Sequence, residues 1–576
     1  MLHLMSTRAQ VILRRTYNRP LNDEGTVFET WSQTLDRVIN HQQWLWERAL
    51  GKELNENQIS ELKELRGLIE ECKVFPAGRV LWLGGTEIGR TRESSILNCS
   101  FVNVETIYDM VDVLWLLLQG VGVGFSPIIG TLTGFRKNIS EIEVIRSKAT
   151  KKTGIDNNEE IWDPLTKIWT IKVGDSAEAW AKSLGKLVAG KHPADKLILN
   201  FSNIRPPGER LKGYGWLSSG DEQISIGFKK IAELLNSRAG QLLTKINILD
   251  VVNWLGTILS SRRSAQICLF EYGSPEWEEF AVAKKNYWET GNPQRAQSNN
   301  SIAFKSKPSK KELEYIFEIM QDAGGSEPGF INMEAALKRA PFFSGLNPCS
   351  EVLLPNKGFC NLTEVDVGKF KNNQTALFRA VYIAARMNYR QTCINLNDGI
   401  LQEAWNLNND FLRLCGVGLT GIAKRPDLQC YDYTDLKRTA TYGAYGMADE
   451  LDMPRPKNVT VVKPSGCGVL DTEIKTTQGV KSFLDIFESQ DYNKEFLKTL
   501  ESRTWITPIS KLPRVFDENN EEQEIILLFF NGYEEVFKIE FEDGSVYKFT
   551  SEHKLKTVTG WKRIDELTLE DEIISF

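Results

Sequence analysis

The chain has 576 residues, 25% charged and 41% hydrophobic, with a formal charge of −6, which suits a folded soluble protein of more than one domain. So small a net charge excludes an overall basic field for nucleic acid, and the longest apolar stretch, near Val113–Leu118, is too short to span a membrane. Nine widely spaced cysteines with no CxxC pair, and four histidines, argue against a secreted disulfide framework and a zinc site.

The N-terminal run MLHLMSTRAQVILRRTY lacks the apolar core and cleavage site of a secretory signal, so a cytoplasmic enzyme with reactive thiols is expected. Asn55 with Gln58, followed by Ile59, Leu62, Leu65 and Ile69, predicts a capped amphipathic helix ending before Pro76. Gly120, Gly122 and Gly124 superficially suggest a nucleotide loop, but close backbone packing is the stronger reading. Ser309 with Glu312, then Leu313, Ile316, Phe317 and Met320, predicts a second capped helix. Strand and helix patterns alternate along this stretch, which predicts an α/β architecture. Val459 to Val462 reads as a strand leading into Lys463-Pro464-Ser465-Gly466. Beyond Cys467 the texture changes. Asn531-Gly532 and Asp543-Gly544 are hairpin turn signals, and Phe537, Ile539 and Phe541 alternate before the second of them, with Tyr547 and Phe549 after it. That predicts antiparallel β structure and a domain boundary at 466/467.

The densest chemistry lies in Asn347-Pro-Cys349-Ser-Glu351 and Gly358-Phe-Cys360. A lone cysteine is usually a small buried hydrophobe. Here a thiol stands two residues from a carboxylate, and in an extended loop both would face one ligand. Asn98-Cys99-Ser100 closes an earlier glycine- and arginine-rich stretch that begins Phe75-Pro-Ala-Gly-Arg.

Together these segments resemble the ribonucleotide reductases, and Cys360 eleven residues after Cys349 is most similar to the adenosylcobalamin-dependent class. FPAGRVLWLGGTE, GVGVGFSP, SNIRPPGERLKGYG, SRRSA, SNNS and VVKPSG match that family in the same order over roughly residues 8–466, with monomeric ribonucleoside-triphosphate reductases the nearest type. The resemblance implies a ten-stranded α/β barrel, incomplete at its C-terminal side, spanning 91–466 after a mainly helical region 1–90. It implies that Cys349 becomes a thiyl radical generated with adenosylcobalamin, with Glu351 as base and Asn347 holding the ribose. It further implies that Cys99 and Cys360 supply two electrons, finish as a disulfide and are re-reduced by a thioredoxin-like protein. Ser100 and the Lys463, Pro464, Ser465 and Gly466 loop are implied to contact substrate, and Asp175 and Arg205 to lie where a deoxynucleotide effector binds. A solvated loop is the alternative reading of Asp175 and Arg205. Residues 135–169 carry no readable motif and fall where the monomeric enzymes hold an insertion. A class I large subunit with a radical-generating partner protein is the alternative.

After Gly466 the reductase pattern stops. Cys467-Gly-Val-Leu-Asp resembles the first block of an intein, and Thr550-Ser-Glu-His553 resembles its second block. The resemblance implies an all-β partial intein (HINT-type) domain over 467–576. A thiol at 467 can attack the Gly466 carbonyl, His553 can protonate the departing amide nitrogen, and Thr550 can distort that peptide. A split intein is expected, its partner chain carrying the C-terminal intein piece and the rest of the reductase. The alternatives are a continuous intein read only in part, or a precursor whose sole activity is cleavage at Cys467.

Overall fold

The computed structural model describes residues 12–461 apart from 23–24, 212, 260–264, 326, 371–372, 423–424, 426 and 429, and beyond 472 it describes only the backbone of short strands. Two long helices open the described chain, α1 (Trp31–Leu50) and α2 (Glu56–Glu70). Both start on capping boxes, Thr30 with Gln33 and Asn55 with Gln58, in which each side chain satisfies a backbone N–H that the helix leaves open. The α2 box and its buried Leu62, Leu65 and Ile69 are those expected from the spacing.

A short edge strand, β1 (Val74–Pro76), follows, and then the first βαβ unit: β2 (Cys99–Val104), α3 (Ile107–Gln119) and β3 (Gly122–Pro127). The α3 helix is apolar nearly all round, so it is buried, and the Val113–Leu118 run is core rather than membrane. No helix among the described residues is long and apolar enough to cross a membrane.

The motif-free stretch 135–169 contributes to a separate four-stranded sheet. Its strands are β4 (Glu141–Ile145), β5 (Glu159–Asp163), β6 (Ile168–Lys172) and β7 (Lys196–Asn200), in the order β4-β7-β6-β5. Helices α4 (Ala177–Ala189), α5 (Glu222–Ser237) and α6 (Lys245–Thr257) belong to the same part of the chain. Trp169, fully buried and edge-on to Phe135, anchors it.

The chain then rejoins the main sheet with β8 (Gln266–Glu271), β9 (Ser298–Phe304), α7 (Lys310–Ala323) and β10 (Gly329–Asn332). The α7 helix has the predicted Ser309–Glu312 capping box. A two-stranded β11 (Gly345–Leu346) and β12 (Leu353–Leu354) hairpin leads to β13 (Gly358–Cys360) and β14 (Leu362–Asp366). After α8 (Gln374–Arg390) and α9 (Glu403–Leu412) come β15 (Gly416–Thr420) and α10 (Cys430–Glu450).

The main sheet runs β10-β9-β8-β3-β2-β13, and the five strands from β10 to β2 are all parallel. The β13 strand adds antiparallel to β2. A second sheet, β1-β14-β15, has β14 and β15 parallel. Only Asn361 separates β13 from β14, so this short run stitches the two sheets together. The strand expected over Val459–Val462 is reduced among the described residues to one parallel bridge, Thr460 to Val417, flanked by backbone hydrogen bonds. Up to residue 461 the described pairings are these two sheets, the separate four-stranded sheet and the β11–β12 hairpin; a closed ten-stranded barrel is not among them.

Beyond 472 every described element is a strand. Val536–Glu540 pairs antiparallel with Val546–Thr550, the hairpin expected around Asp543-Gly544. The 466/467 boundary, Lys463, Pro464, Ser465, Gly466, Cys467 and His553 lie outside the described residues, and Thr550 is placed only as the backbone end of its strand.

Candidate active site

The two strands that carry Cys99 and Cys360 place them opposite each other: in the β13–β2 pairing, Cys360 is the register partner of Cys99. Directly opposed residues of an antiparallel pair have Cβ atoms about 5 Å apart, a separation that a disulfide can close. Neither is in a disulfide here. Cys360 is fully buried and Cys99 half-buried. Burial pushes the Cys360 thiol well above the usual range, and contact with the Cys99 thiol and the charge of Glu351 push it the same way. Burial thus favours the protonated thiol at Cys360.

Cys349 stands on a tight turn above them. The Ser350 N–H donates to the Asn347 carbonyl at 2.8 Å, and Ser350 sits at φ +64°. This corrects the extended-loop expectation: the backbone reverses between Cys349 and Glu351, so alternation along a strand does not set their common direction. Asn347 does that work. It is completely buried, its Nδ2 donates to Glu351 Oε2 at 2.8 Å, and its Oδ1 accepts the Val352 N–H at 2.9 Å. One amide thus holds the carboxylate and closes the turn, leaving the Cys349 side chain exposed at the tip.

Glycines bring the turn down onto the thiol pair. A Cβ on Gly122 would lie 3.1 Å from both the Cys99 Sγ and the Pro348 Cγ, so these two atoms pack over one bare Cα. A Cβ on Gly124 would lie 1.8 Å from the Leu346 carbonyl oxygen. The close-packing reading of this glycine run is the one the structure bears out. Asn299, from the SNNS stretch of β9, donates to the Pro348 carbonyl at 3.2 Å, an anchor that spacing alone had not assigned. Asn98 likewise accepts the Leu362 N–H at 3.2 Å, tying β2 to β14. The Ser100 hydroxyl is fully buried and donates to the Gly122 carbonyl at 3.1 Å. In this arrangement it serves the sheet rather than a ligand, because strand alternation turns it away from the Cys99 face.

A second feature lies beside α4. A cavity of about 460 Å³ is lined by Asp175, Arg205, Arg92, Glu178 and Tyr214, among others. Asp175 and Arg205 are 5% and 9% exposed, so the solvated-loop reading fails. The Arg205 Nε donates to Asp175 Oδ2 at 2.9 Å and to Oδ1 at 3.1 Å. Burial raises the Asp175 pKa in spite of that partner. Arg92 and Tyr214 were missed; the only sequence signal was their place in or beside segments already singled out.

Chemically, then, the described chain offers two opposed thiols, an exposed third thiol held by an amide and a carboxylate, and a charged cavity. Among the described residues, no group of three or more His, Cys, Asp or Glu side chains could hold a metal ion by itself.

Comparison with known proteins bears on this arrangement. The family model for the ribonucleotide reductase alpha domain matches residues 3–86. The chain is 27% identical over 479 residues to an adenosylcobalamin-dependent ribonucleoside-triphosphate reductase of Lactobacillus gasseri, covering 72% of this chain and 61% of that protein. A protein of the same name from Lactobacillus helveticus is 26% identical over 525 residues, covering 80% and 66%. The chain therefore spans less than two thirds of the length of either relative. A solved B12-dependent (class II) ribonucleotide reductase superposes with a TM-score of 0.67 at 23% identity, covering 79% of this chain and 72% of that one. The chain shares that α/β fold.

Proposed function

We propose that residues up to 466 form the catalytic part of an adenosylcobalamin-dependent ribonucleotide reductase. The observation that carries the reading is the register pairing of Cys99 with Cys360 beneath the Asn347–Glu351 turn. The names of the relatives favour this class over a class I large subunit.

The residues fit a radical source that docks from outside. A thiol that must lose a hydrogen atom to a bound cofactor has to be reachable, and Cys349 is the exposed one of the three. The exposed Cys349 would face adenosylcobalamin when it is bound, and the cofactor would supply the radical chemistry that makes Cys349 a thiyl. Cys349 then removes the 3′ hydrogen of the ribose and later returns it. Glu351, oriented by Asn347, accepts the 3′-hydroxyl proton. Cys99 and Cys360 give two electrons and two protons as the 2′-hydroxyl leaves as water, and one S–S bond forms between them. Asp175 and Arg205 line the site of a deoxynucleotide effector, and a thioredoxin-like protein reduces the spent disulfide. Lys463, Pro464, Ser465 and Gly466 bind substrate phosphates through backbone N–H groups and a hydroxyl.

The same proposal gives 467–576 a different task. Cys467 attacks the Gly466 carbonyl, moving the acyl group from nitrogen to sulfur, while His553 protonates the leaving amide and Thr550 holds the peptide. The all-strand character of the described C-terminal elements supports an intein-type segment. Splicing removes it and joins 466 to the remaining reductase sequence carried by a partner chain.

The test is turnover. With adenosylcobalamin, a dithiol and a ribonucleoside triphosphate, the spliced product forms deoxyribonucleotide, and Cys349→Ala brings the rate to background. Undiminished turnover by Cys349→Ala sinks the radical role. Splicing is read separately by mass spectrometry after mixing with the partner chain: a ligated product lacking 467–576 is expected, and its absence, or its persistence in Cys467→Ala, sinks the intein reading.

A further inference from the structure

We propose that Gln119 is a positioning residue: its side-chain amide relays anion occupancy of the Asp175–Arg205 cavity to the Cys99 thiol. The proposal rests on the reading of that cavity as a nucleotide site.

The contacts run without a gap. At the cavity wall, the Arg92 guanidinium is shared between the Glu178 carboxylate and the Tyr214 hydroxyl, which it reaches at 3.3 Å. The Tyr214 hydroxyl in turn donates to Gln119 Oε1 at 2.7 Å. Gln119 is the last residue of α3, fully buried, and does not line the cavity. Its backbone carbonyl is gripped by Arg79 Nη1 at 2.8 Å. Gly120 follows at φ +76°, with the Arg79 guanidinium lying where a Cβ would be. Two residues on, the Gly122 N–H donates to the Asn98 carbonyl at 3.0 Å, and its Cα packs against the Cys99 Sγ and Pro348.

A relay needs an element with two arrangements, and Gln119 supplies one. Its Nε2 is buried and has no hydrogen-bond partner, so half of the amide is unused. A buried orphan donor costs about 1–3 kcal/mol. An anionic ligand in the cavity draws Arg92 from Glu178 and takes the Tyr214 hydroxyl as a donor. The hydroxyl oxygen is then left as an acceptor, and the amide satisfies it by turning Nε2 toward it. The turned amide changes the load on the α3 terminus, which the Arg79 grip passes into the Gly120–Gly122 turn beneath Cys99. Tyr214 is itself fixed from behind, its carbonyl accepting from Trp82 Nε1 at 2.9 Å and from Arg19 Nη1 at 2.5 Å, so its hydroxyl is the part free to change partner.

The test uses the full chain and two independent readings. Binding of dATP, dGTP, dCTP and dTTP is measured by equilibrium dialysis, with inorganic triphosphate as the anion-only probe. The rate of Cys99 alkylation by iodoacetamide is measured by mass spectrometry with and without each. In the unaltered chain, bound deoxynucleotide changes that rate by about fivefold or more, the lower end of measured couplings between sites. Gln119→Leu still binds the same ligand, more weakly because the amide no longer gains a partner on binding, and at saturation it loses the rate change. Gln119→Glu, which keeps the acceptor oxygen yet has no N–H to turn inward, also loses it, whereas a merely structural role would be rescued by this variant. Should Gln119→Leu fail to fold, Gln119→Glu alone decides. A ligand-dependent rate change that survives in Gln119→Glu overturns the relay, as does bound ligand with no rate change in the unaltered chain. Absence of binding by all four nucleotides overturns the nucleotide reading of the cavity, and the relay with it.

Discussion

The thiol site and the charged cavity are held together by different forces. At the thiol site, backbone does the placing: Cys99 and Cys360 meet because β2 and β13 pair in one register, and the Cys349 turn comes close because Gly122 and Gly124 have no side chains. In the cavity, side-chain charges do the placing: Arg205 on Asp175, and Arg92 on Glu178 and Tyr214. The lesson is that the first site should be brittle to added volume and the second to lost charge. Electron transfer between two sulfurs tolerates little displacement, whereas a cavity that holds a flexible anion can adjust.

The sharpest way to break this contrast is Gly124→Ala. Its Cβ would meet a backbone carbonyl at 1.8 Å, which no rotamer change relieves. It is expected to destabilise the chain by about 3 kcal/mol or more, read as a lower thermal midpoint, and to abolish reduction while nucleotide binding survives in whatever remains folded. Asp175→Ala is the counterpart. It removes the bidentate partner of Arg205, which is 9% exposed, and leaves the longer Glu209 contact at 3.5 Å, so a loss of about 3 kcal/mol is expected in urea unfolding, with nucleotide binding lost and the rate of Cys349 alkylation unchanged.

The third prediction sharpens the comparison with a place where charge supports the thiol strands. Asp109 on α3 pairs with Lys357, the residue before β13, at 2.8 Å, and Asp112 one turn on accepts from Trp405 Nε1 and Gln402 Nε2, both at 2.7 Å. Trp115 on the same helix donates to Asp398 at 2.7 Å. Burial pushes Asp112 up to about 7, and the neighbouring Asp109 charge adds to it. A carboxyl whose folded pKa lies above its unfolded value contributes stability that is complete below the unfolded pKa and is lost as pH rises through the folded one. Stability should therefore fall between about pH 4 and pH 7, by up to about 4 kcal/mol, and Asp112→Asn should flatten that slope in pH-dependent urea melts. A slope that persists in Asp112→Asn means that other groups set it.

The smallest effect is expected from Asn299→Ala, which removes one hydrogen bond to the Pro348 carbonyl. About 1 kcal/mol or less of stability is lost, but kcat should fall more than KM changes, because the turn loosens without losing substrate contacts.

Much of this was legible along the chain wherever the physics is local. Asn55–Gln58 and Ser309–Glu312 announce helix starts because a capping box satisfies its own N–H groups within four residues. The Asp543-Gly544 hairpin is local in the same way. The Asn347–Glu351 segment was singled out, but its geometry was misread, because a single left-handed residue, Ser350, reverses a strand-like run. Of the strand expected over Val459–Val462, the described residues 459–461 form one parallel bridge, Thr460 to Val417, since ladder formation depends on a neighbour that composition does not reveal.

What the sequence determined by itself was the inventory: three thiols, an amide and a carboxylate in segments that resemble the ribonucleotide reductases, an α/β alternation, and a change of texture near 466. What only the tertiary structure decided was which groups meet. Cys99 and Cys360 are separated along the chain by most of the main sheet, and their opposition depends on β13 turning antiparallel onto β2. For Asp175 and Arg205 the sequence left a solvated loop open as an alternative, and burial as an ion pair removes it, because only packing determines which charges lose water. The route from Tyr214 through Gln119 to Gly122 has no signature in sequence at all, since hydrogen bonds between distant elements are set by their approach and not by their spacing.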